Sequence, residues 1–218
     1  MIRHGLACRC MPQIRPSREP RSSEVRFITA VAKSRLQTLP SIDRASEPAS
    51  AIQPGAFRSR PVAASDLPAI EALHDQVFGP GALTRAAYRV REGQPRLSPF
   101  CRVMFDGCVL VAAIRYTEVR IGESRAILML GPLAVAPAYA NQGHGRKLLA
   151  ESLERARSAD MQLILLIGDP PYYARFGFVV APRGRIIMPG PIDAGRLLVL
   201  ELQPGAVLDL QGRVQGLQ

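Results

Sequence analysis

One stretch limits the folds open to this chain more than any other: AILMLGPLAVAPAYANQGHGRKLLAESL, from Ala126 to Leu153. An apolar run, Ala126 to Leu130, meets Gly131-Pro132 and is followed by a second run, Leu133-Ala134-Val135. A short loop then reaches Gly143 and Gly145, and a helical pattern puts Leu148, Leu149 and Leu153 on one face. The order is strand, loop, helix. The first N–H groups of a helix lack intrahelical partners, and with the helix dipole they favour an anion. Glycine lets the backbone turn and lets a phosphate approach with no Cβ in its way. Gln142-Gly143-His144-Gly145-Arg146 therefore reads as a phosphate cradle, with Arg146 and Lys147 adding positive charge.

Three kinds of phosphate loop share this outline. A Walker A loop ends in Gly-Lys-Ser/Thr, which is absent. A Rossmann fingerprint needs Gly-x-Gly-x-x-Gly directly after a strand. Here the third position is Leu148, and Ala136 to Gln142 is long for that turn. The stretch instead resembles motif A of the GNAT superfamily of acyl-CoA N-acyltransferases, Gln/Arg-x-x-Gly-x-Gly/Ala. Ala140 stands at the Gln/Arg position, which spares the backbone donors and removes one side-chain contact. A second string, Gly168-Asp169-Pro170-Pro171-Tyr172-Tyr173-Ala174-Arg175-Phe176-Gly177-Phe178, follows the apolar run Leu163 to Ile167. Its Tyr173 to Phe178 spacing is similar to the family's Tyr-x-x-x-Gly-Phe, and the whole string looks like one subgroup of bacterial N-acetyltransferases. Asp169-Pro170 replaces the Asn that commonly precedes this helix. The resemblance covers the chain from about Phe57 onward.

The rest of the chain points to the same element order independently of the glycine loop. Phe57 to Val62 predicts a first strand, and Ala64-Ser65-Asp66 a helix N-cap before the apolar face Ile70, Ala72, Leu73, Val77, Phe78. A second helix is expected over Leu83 to Arg91. Ser98 to Phe105 and Cys108 to Glu118 are strand-like runs around Asp106-Gly107, a two-residue hairpin signal. A turn at Ile121-Gly122-Glu123 leads to the central strand. Gln162 to Gly168 is a buried strand, so strand–loop–helix–strand makes a right-handed parallel crossover. Arg185 to Met188 and Arg196 to Gln203 are expected to close the sheet as a last pair; beyond Pro204 the reading stops at an edge or a tail. The fold class is α/β (α+β): a GNAT-like mixed sheet of about six to seven strands with flanking helices and a central parallel crossover.

The resemblance implies acetyl-CoA as co-substrate and an amine as acceptor. It places the pyrophosphate on Asn141, Gln142, Gly143, His144, Gly145 and Arg146, with His144 contributing its N–H. The pantetheine arm then pairs with main chain near Leu133, Ala134 and Val135, whose side chains also suit core packing. Acetyl passes directly to the amine, so no acyl-enzyme and no metal are needed. Tyr173 is carried over as the general acid for the departing thiol, against a packed aromatic; Tyr172 lines the substrate side or packs. Glu118 is either a proton acceptor, directly or through water, or a solvated strand-end acid. A catalytically silent acyl-CoA-binding or regulatory domain, and a basic nucleic-acid-associated protein, are the other classes. The glycine loop favours the first over the second, and Tyr173 favours an enzyme over both.

Composition narrows these choices. The 218 residues carry a formal net charge of +10, mostly as arginine, with lysine only at Lys33 and Lys147. The arginines are scattered, with no basic run, so a solvated basic surface is expected before nucleic acid. No apolar run approaches the roughly 20 residues of a membrane span. Cys8-x-Cys10 is too close for normal zinc chelation, and Cys101 and Cys108 are expected as reduced thiols. A cytoplasmic monomer or homodimer, taking a small-molecule or peptide amine, fits these features. Residues 1–55 are rich in Arg, Ser and Pro and poor in apolar periodicity. They are expected to be a disordered leader or an over-extended start, with a transit peptide as the third reading, and 56–218 the acyltransferase domain. A chain starting near Ala56 should then melt like the full one.

Overall fold

The computed structural model describes residues 56–79, 86–208 and 210–217. The expected leader and the start of the second helix therefore lie outside the described residues. Strand β1 (Phe57–Pro61) leads through a turn of 3-10 helix to α1 (Leu67–Phe78), and α2 is described over Ala86–Arg91. Strands β2 (Arg102–Asp106), β3 (Val109–Ile121) and β4 (Ser124–Val135) form the expected meander. Helix α3 (His144–Arg157) and strand β5 (Leu163–Ile167) complete the crossover. Then come α4 (Pro170–Tyr173), β6 (Val179–Val180), β7 (Ile186–Ile187), β8 (Leu197–Glu201) and β9 (Gly212–Gly216).

The strand order is β1-β2-β3-β4-β5-β8-β6, with β4 and β5 parallel. Alternation along β3 and β4 sorts the core into two sides, as period-2 strands require. Tyr116, Leu128 and Leu130 pack with Leu148, Leu149 and Leu153 of α3. Val119, Ile127 and Met129 pack with Val90 of α2, and Ala113 and Ala134 with Leu73 of α1. Arg102 donates to Glu151 at 2.8 Å and ties β2 to α3.

The structure adds to or changes the sequence reading at four points. Gly131-Pro132 lies inside the central strand. Leu133 pairs with Ile114 and Leu130 with Tyr116, so β4 carries one extra residue there, a bulge with Gly131 at φ 116°. Asp66 stands at the N-cap position of α1, but its carboxylate makes no cap bond. It accepts from Arg60 at 2.6 and 2.7 Å and from the Ala63 N–H at 2.8 Å, and the arginine holds its pKa below the usual carboxylate range. The last two long segments do not pair with each other. β8 joins β5 and β6, while β7 lies parallel to β9. Finally, the unassigned tail is a strand: β9 pairs with the far end of β3, Val119–Ile121. Cys101 is buried, where its Sγ accepts from the Tyr116 N–H at 3.3 Å, and Cys108 is exposed.

Candidate active site

β4 and β5 pair through only three residues, Ile127 with Leu163, Leu128 with Ile164 and Met129 with Leu165. Beyond that point β4 keeps its register with β3, through Leu133, Ala134 and Val135, while β5 keeps its register with β8. The edges of β4 and β5 that face each other therefore part into a wedge. The bulge at Gly131-Pro132 sits where they separate. The Tyr116 side chain lies on the α3 side at the same level, and its buried hydroxyl faces Ser152 of α3.

Helix α3 begins at the open end of this wedge. Gly143 is its N-cap with φ 88°, in the left-handed region, and no side chain caps the helix. Lys147 N–H is the first to find an acceptor inside the helix, Gly143 O at 3.0 Å. The donors of His144, Gly145 and Arg146 precede it. A Cβ on Gly145 would stand 3.2 Å from Val135 Cγ2, 3.4 Å from the Tyr172 hydroxyl and 3.7 Å from Leu133 Cδ2. The absent side chain thus leaves a cradle between the helix start and the wedge. The structure brings Leu133, Val135, Gly143, Gly145 and Tyr172 together here. The His144 ring turns inward onto Phe57 at 4.3 Å, which leaves its backbone for the cradle. Asn141 and Gln142 are exposed in the loop, Asn141 at φ 61°. Arg146 and Lys147 are exposed on the first turn, and the Arg175 guanidinium lies 5.3 Å from the Tyr172 ring.

Tyr173 leans on the end of β5. A Cβ on Gly168 would sit 2.4 Å from its Cε2, so only glycine at 168 admits this ring position. Tyr172 and Phe178 meet it edge-on at 4.9 and 5.7 Å. Burial, then Tyr172 and Asp169, push its phenol up to about 12, so it keeps its proton across the physiological range. Glu118 is not brought to the wedge. It is exposed on β3 opposite Leu128, inside the paired part of the sheet. Leu128 lies five residues before Leu133, roughly 16 Å of strand at about 3.3 Å per residue.

Sequence reasoning missed a second cluster on the α1/α2 side. His74, Arg91 and Arg115 line a cavity of about 700 Å³ between α1, α2 and β3. Burial, then the Arg115 and Arg91 cations, push His74 down to about 4, so its imidazole is neutral at physiological pH. No local spacing links these residues; they meet only through the fold.

The profile of the acetyltransferase (GNAT) domain matches residues 58–181, more than half of the chain. The chain belongs to the GNAT acetyltransferase family. The uncharacterized N-acetyltransferase YhbS of Escherichia coli is 29% identical over 117 residues, which are 53% of this chain and 70% of that protein. A solved structure of Escherichia coli YhbS in complex with CoA superposes with a TM-score of 0.62 and 26% identity, over 74% of this chain and 89% of that one. A GNAT family acetyltransferase of Brucella melitensis in complex with acetyl-CoA shares the fold, with a TM-score of 0.55 and 24% identity, over 73% and 94% of the two chains. The mixed α/β sheet with its parallel β4–β5 pair is the GNAT fold. Among the described residues no helix is long and apolar enough to cross a membrane.

Proposed function

We propose that this GNAT protein transfers acetyl from acetyl-CoA to a primary amine of a small molecule or peptide. The observation that carries the reading is the parting of β4 and β5 after three paired residues, opposite the uncapped start of α3. The Gly145 cradle fits an extended ligand lying between them. In this reading the N–H groups of Gly143 to Arg146 bind the pyrophosphate, with Asn141 and Gln142 shaping the loop. The free edge of Leu133, Ala134 and Val135 pairs with the pantetheine amides as an added strand would.

Acetyl-CoA supplies the thioester carbon that the neutral amine attacks; the C–N bond forms and the C–S bond breaks. A backbone N–H at the wedge faces the developing oxyanion. Tyr173 then holds a proton for the departing sulfur. At a pKa of about 12, against about 8.5 for a free thiol, full transfer to sulfur runs uphill. Its work is therefore a hydrogen bond that strengthens as the thiolate forms, completed by solvent. The proton lost by the amine leaves through water, and Glu118 serves only at the far end of such a chain. The test is free-thiol release from acetyl-CoA with a panel of amines and peptides. CoA binding without release of thiol above the hydrolytic background for every acceptor would leave the family fold without this activity. The cytoplasm, as a monomer or homodimer, is where we place the protein.

A further inference from the structure

The cavity between α1, α2 and β3 holds two guanidinium groups that no acid pairs with among the described residues. Arg91, at the end of α2, is 7% exposed, and its Nε–H has no hydrogen-bond partner. The Tyr88 ring lies 5.5 Å from its Cζ. Arg115, on β3, likewise has a buried Nε–H without a partner, while one terminal nitrogen donates to Pro95 O at 3.2 Å. Among the described residues no acid pairs with either; the ion pairs are Arg60–Asp66, Arg96–Glu71, Arg102–Glu151 and Arg157–Glu154. Asp75 and Glu92 line the cavity but are exposed at its rim, and Arg89 donates to Pro189 O. His74, neutral, adds a buried Nε2 without a partner.

A buried, unpaired charge is costly, and a second cation nearby makes it worse. The strain is visible in Arg91, which burial, then Arg115, push down to about 10. It remains charged at neutral pH. Packing alone does not call for this arrangement, since an apolar side chain of similar length fills the same space without the penalty. A bound oxyanion removes the penalty, and a guanidinium edge matches a carboxylate or a phosphate with two parallel N–H bonds.

The position decides what the anion belongs to. Arg91 Nη2 lies 3.3 Å from where a Cβ on Gly131 would stand, and Gly131 is the bulge at which β4 leaves β5. The cations therefore flank the wedge from the α1/α2 side, opposite to α3. We propose that this cavity is the acceptor subsite and that it selects small amines bearing an oxyanion, held by Arg91 and Arg115 a few bonds from the reacting nitrogen. Free amino acids meet that description through a carboxylate, and aminoalkyl phosphates through a phosphate. The inference rests on the acetyl-transfer reading for the identity of the reaction but not for the anion site itself.

The experiment uses the full chain and has two readouts. In the first, acetyl-CoA turnover is compared across free amino acids, the amides of the same amino acids, and phosphoethanolamine. An oxyanion-bearing arm should exceed the amide arm in kcat/KM by about 100-fold, on the order of two charge-assisted hydrogen bonds. Whichever of the amino acid and phosphoethanolamine arms is faster names the source of the oxyanion. In Arg91→Gln the advantage over the amides should collapse toward one through KM, with CoA affinity unaltered. Arg91→Lys keeps the charge and loses the fork, so it should fall between, and it serves if the Gln variant does not fold. A packing role would appear instead as a lower melting temperature with the acid-to-amide ratio intact. The second readout is calorimetric binding of N-acetyl amino acids and of acetyl phosphate without CoA, for the parent and for Arg115→Gln. Binding of either that weakens in Arg115→Gln supports the anion site even if no turnover is found, in which case only the transfer reading falls. Equal turnover of acids and amides, or failure of both probes to bind the parent, overturns the anion site.

Discussion

On the α3 side of the sheet, the groups that can receive an anion are backbone donors at a helix start. On the α1/α2 side they are buried guanidiniums. The first site is built by leaving things out: no side chain caps α3, and no Cβ stands on Gly143 or Gly145. Backbone donors stay in place when a side chain changes, as at Ala140 in the loop, whereas added bulk would fill the cradle. The second is built from side chains drawn from α1, α2 and β3, none of them paired with an acid among the described residues. Bulk matters less to it than the loss of one charge. The two meet at the parting of β4 and β5, and Tyr173 stands beside that point.

The largest effect is expected where the two sides meet. Tyr173→Phe keeps the ring against Gly168 and deletes only the hydroxyl. Turnover should fall by about 10²–10³-fold, the cost of removing one donor from the developing charge, with CoA affinity and melting temperature close to the parent's. Tyr172→Phe should be milder. Parent-like turnover in Tyr173→Phe makes Tyr173 a packing residue. Next comes the backbone side. Gly145→Val puts methyl groups among Val135, Leu133 and the Tyr172 hydroxyl, and should weaken CoA by roughly 10-fold or more, read by calorimetry on folded protein. The same variant should bind N-acetyl amino acids like the parent. Loss of both affinities together would mean that the two sides are one site.

Glu118→Gln should be smaller still. An exposed acid reached only through water should cost less than about 10-fold in turnover, below the usual range for a positioned acid or base. A larger loss, with CoA binding kept, restores Glu118 as a direct acceptor and requires a wedge longer than the pairing shows. The smallest expected effect is on stability. His74 is held at about 4 in the folded chain against an ordinary 6.5, so the unfolded chain binds the extra proton first. Stability should therefore be full above about pH 6.5, decline as pH falls towards 4, and level off below. Melting curves of the parent and of His74→Asn across that interval check it. The variant should lose this part of the slope, and an unchanged slope would place His74 in a solvated site.

Much of the α3 side was legible because its parts are contiguous. Gly143 and Gly145 announce a turn and a close approach, and the run Leu163 to Ile167 announces a strand covered on both faces. Asp106-Gly107 and the Ile121-Gly122-Glu123 turn fixed the meander, since hairpin geometry is written in two or three residues. Gly168 has no role that its neighbours in the chain announce; only its distance to the Tyr173 ring reveals it as the seat of that side chain. The pairing of the last strands was not legible because β6 and β7 have two residues each, and strands that short take their partners from the sheet they meet rather than from their own pattern.

What the sequence determined by itself was therefore local: the β4–loop–α3 unit, the glycines that keep side chains out of it, and the Tyr173 to Phe178 string, each specified by neighbours in the chain. What only the tertiary structure decided was which long-range neighbours those elements acquire. It kept β4 continuous through Gly131-Pro132, stopped its pairing with β5 at Met129, and set Glu118 beside the closed part of the ladder. It also brought Arg91, buried, and Arg115, half-buried, to one cavity with no acid pairing either among the described residues. Charge is a property of a residue, but burial and the absence of a partner are properties of its surroundings, and those exist only once the sheet has closed around them.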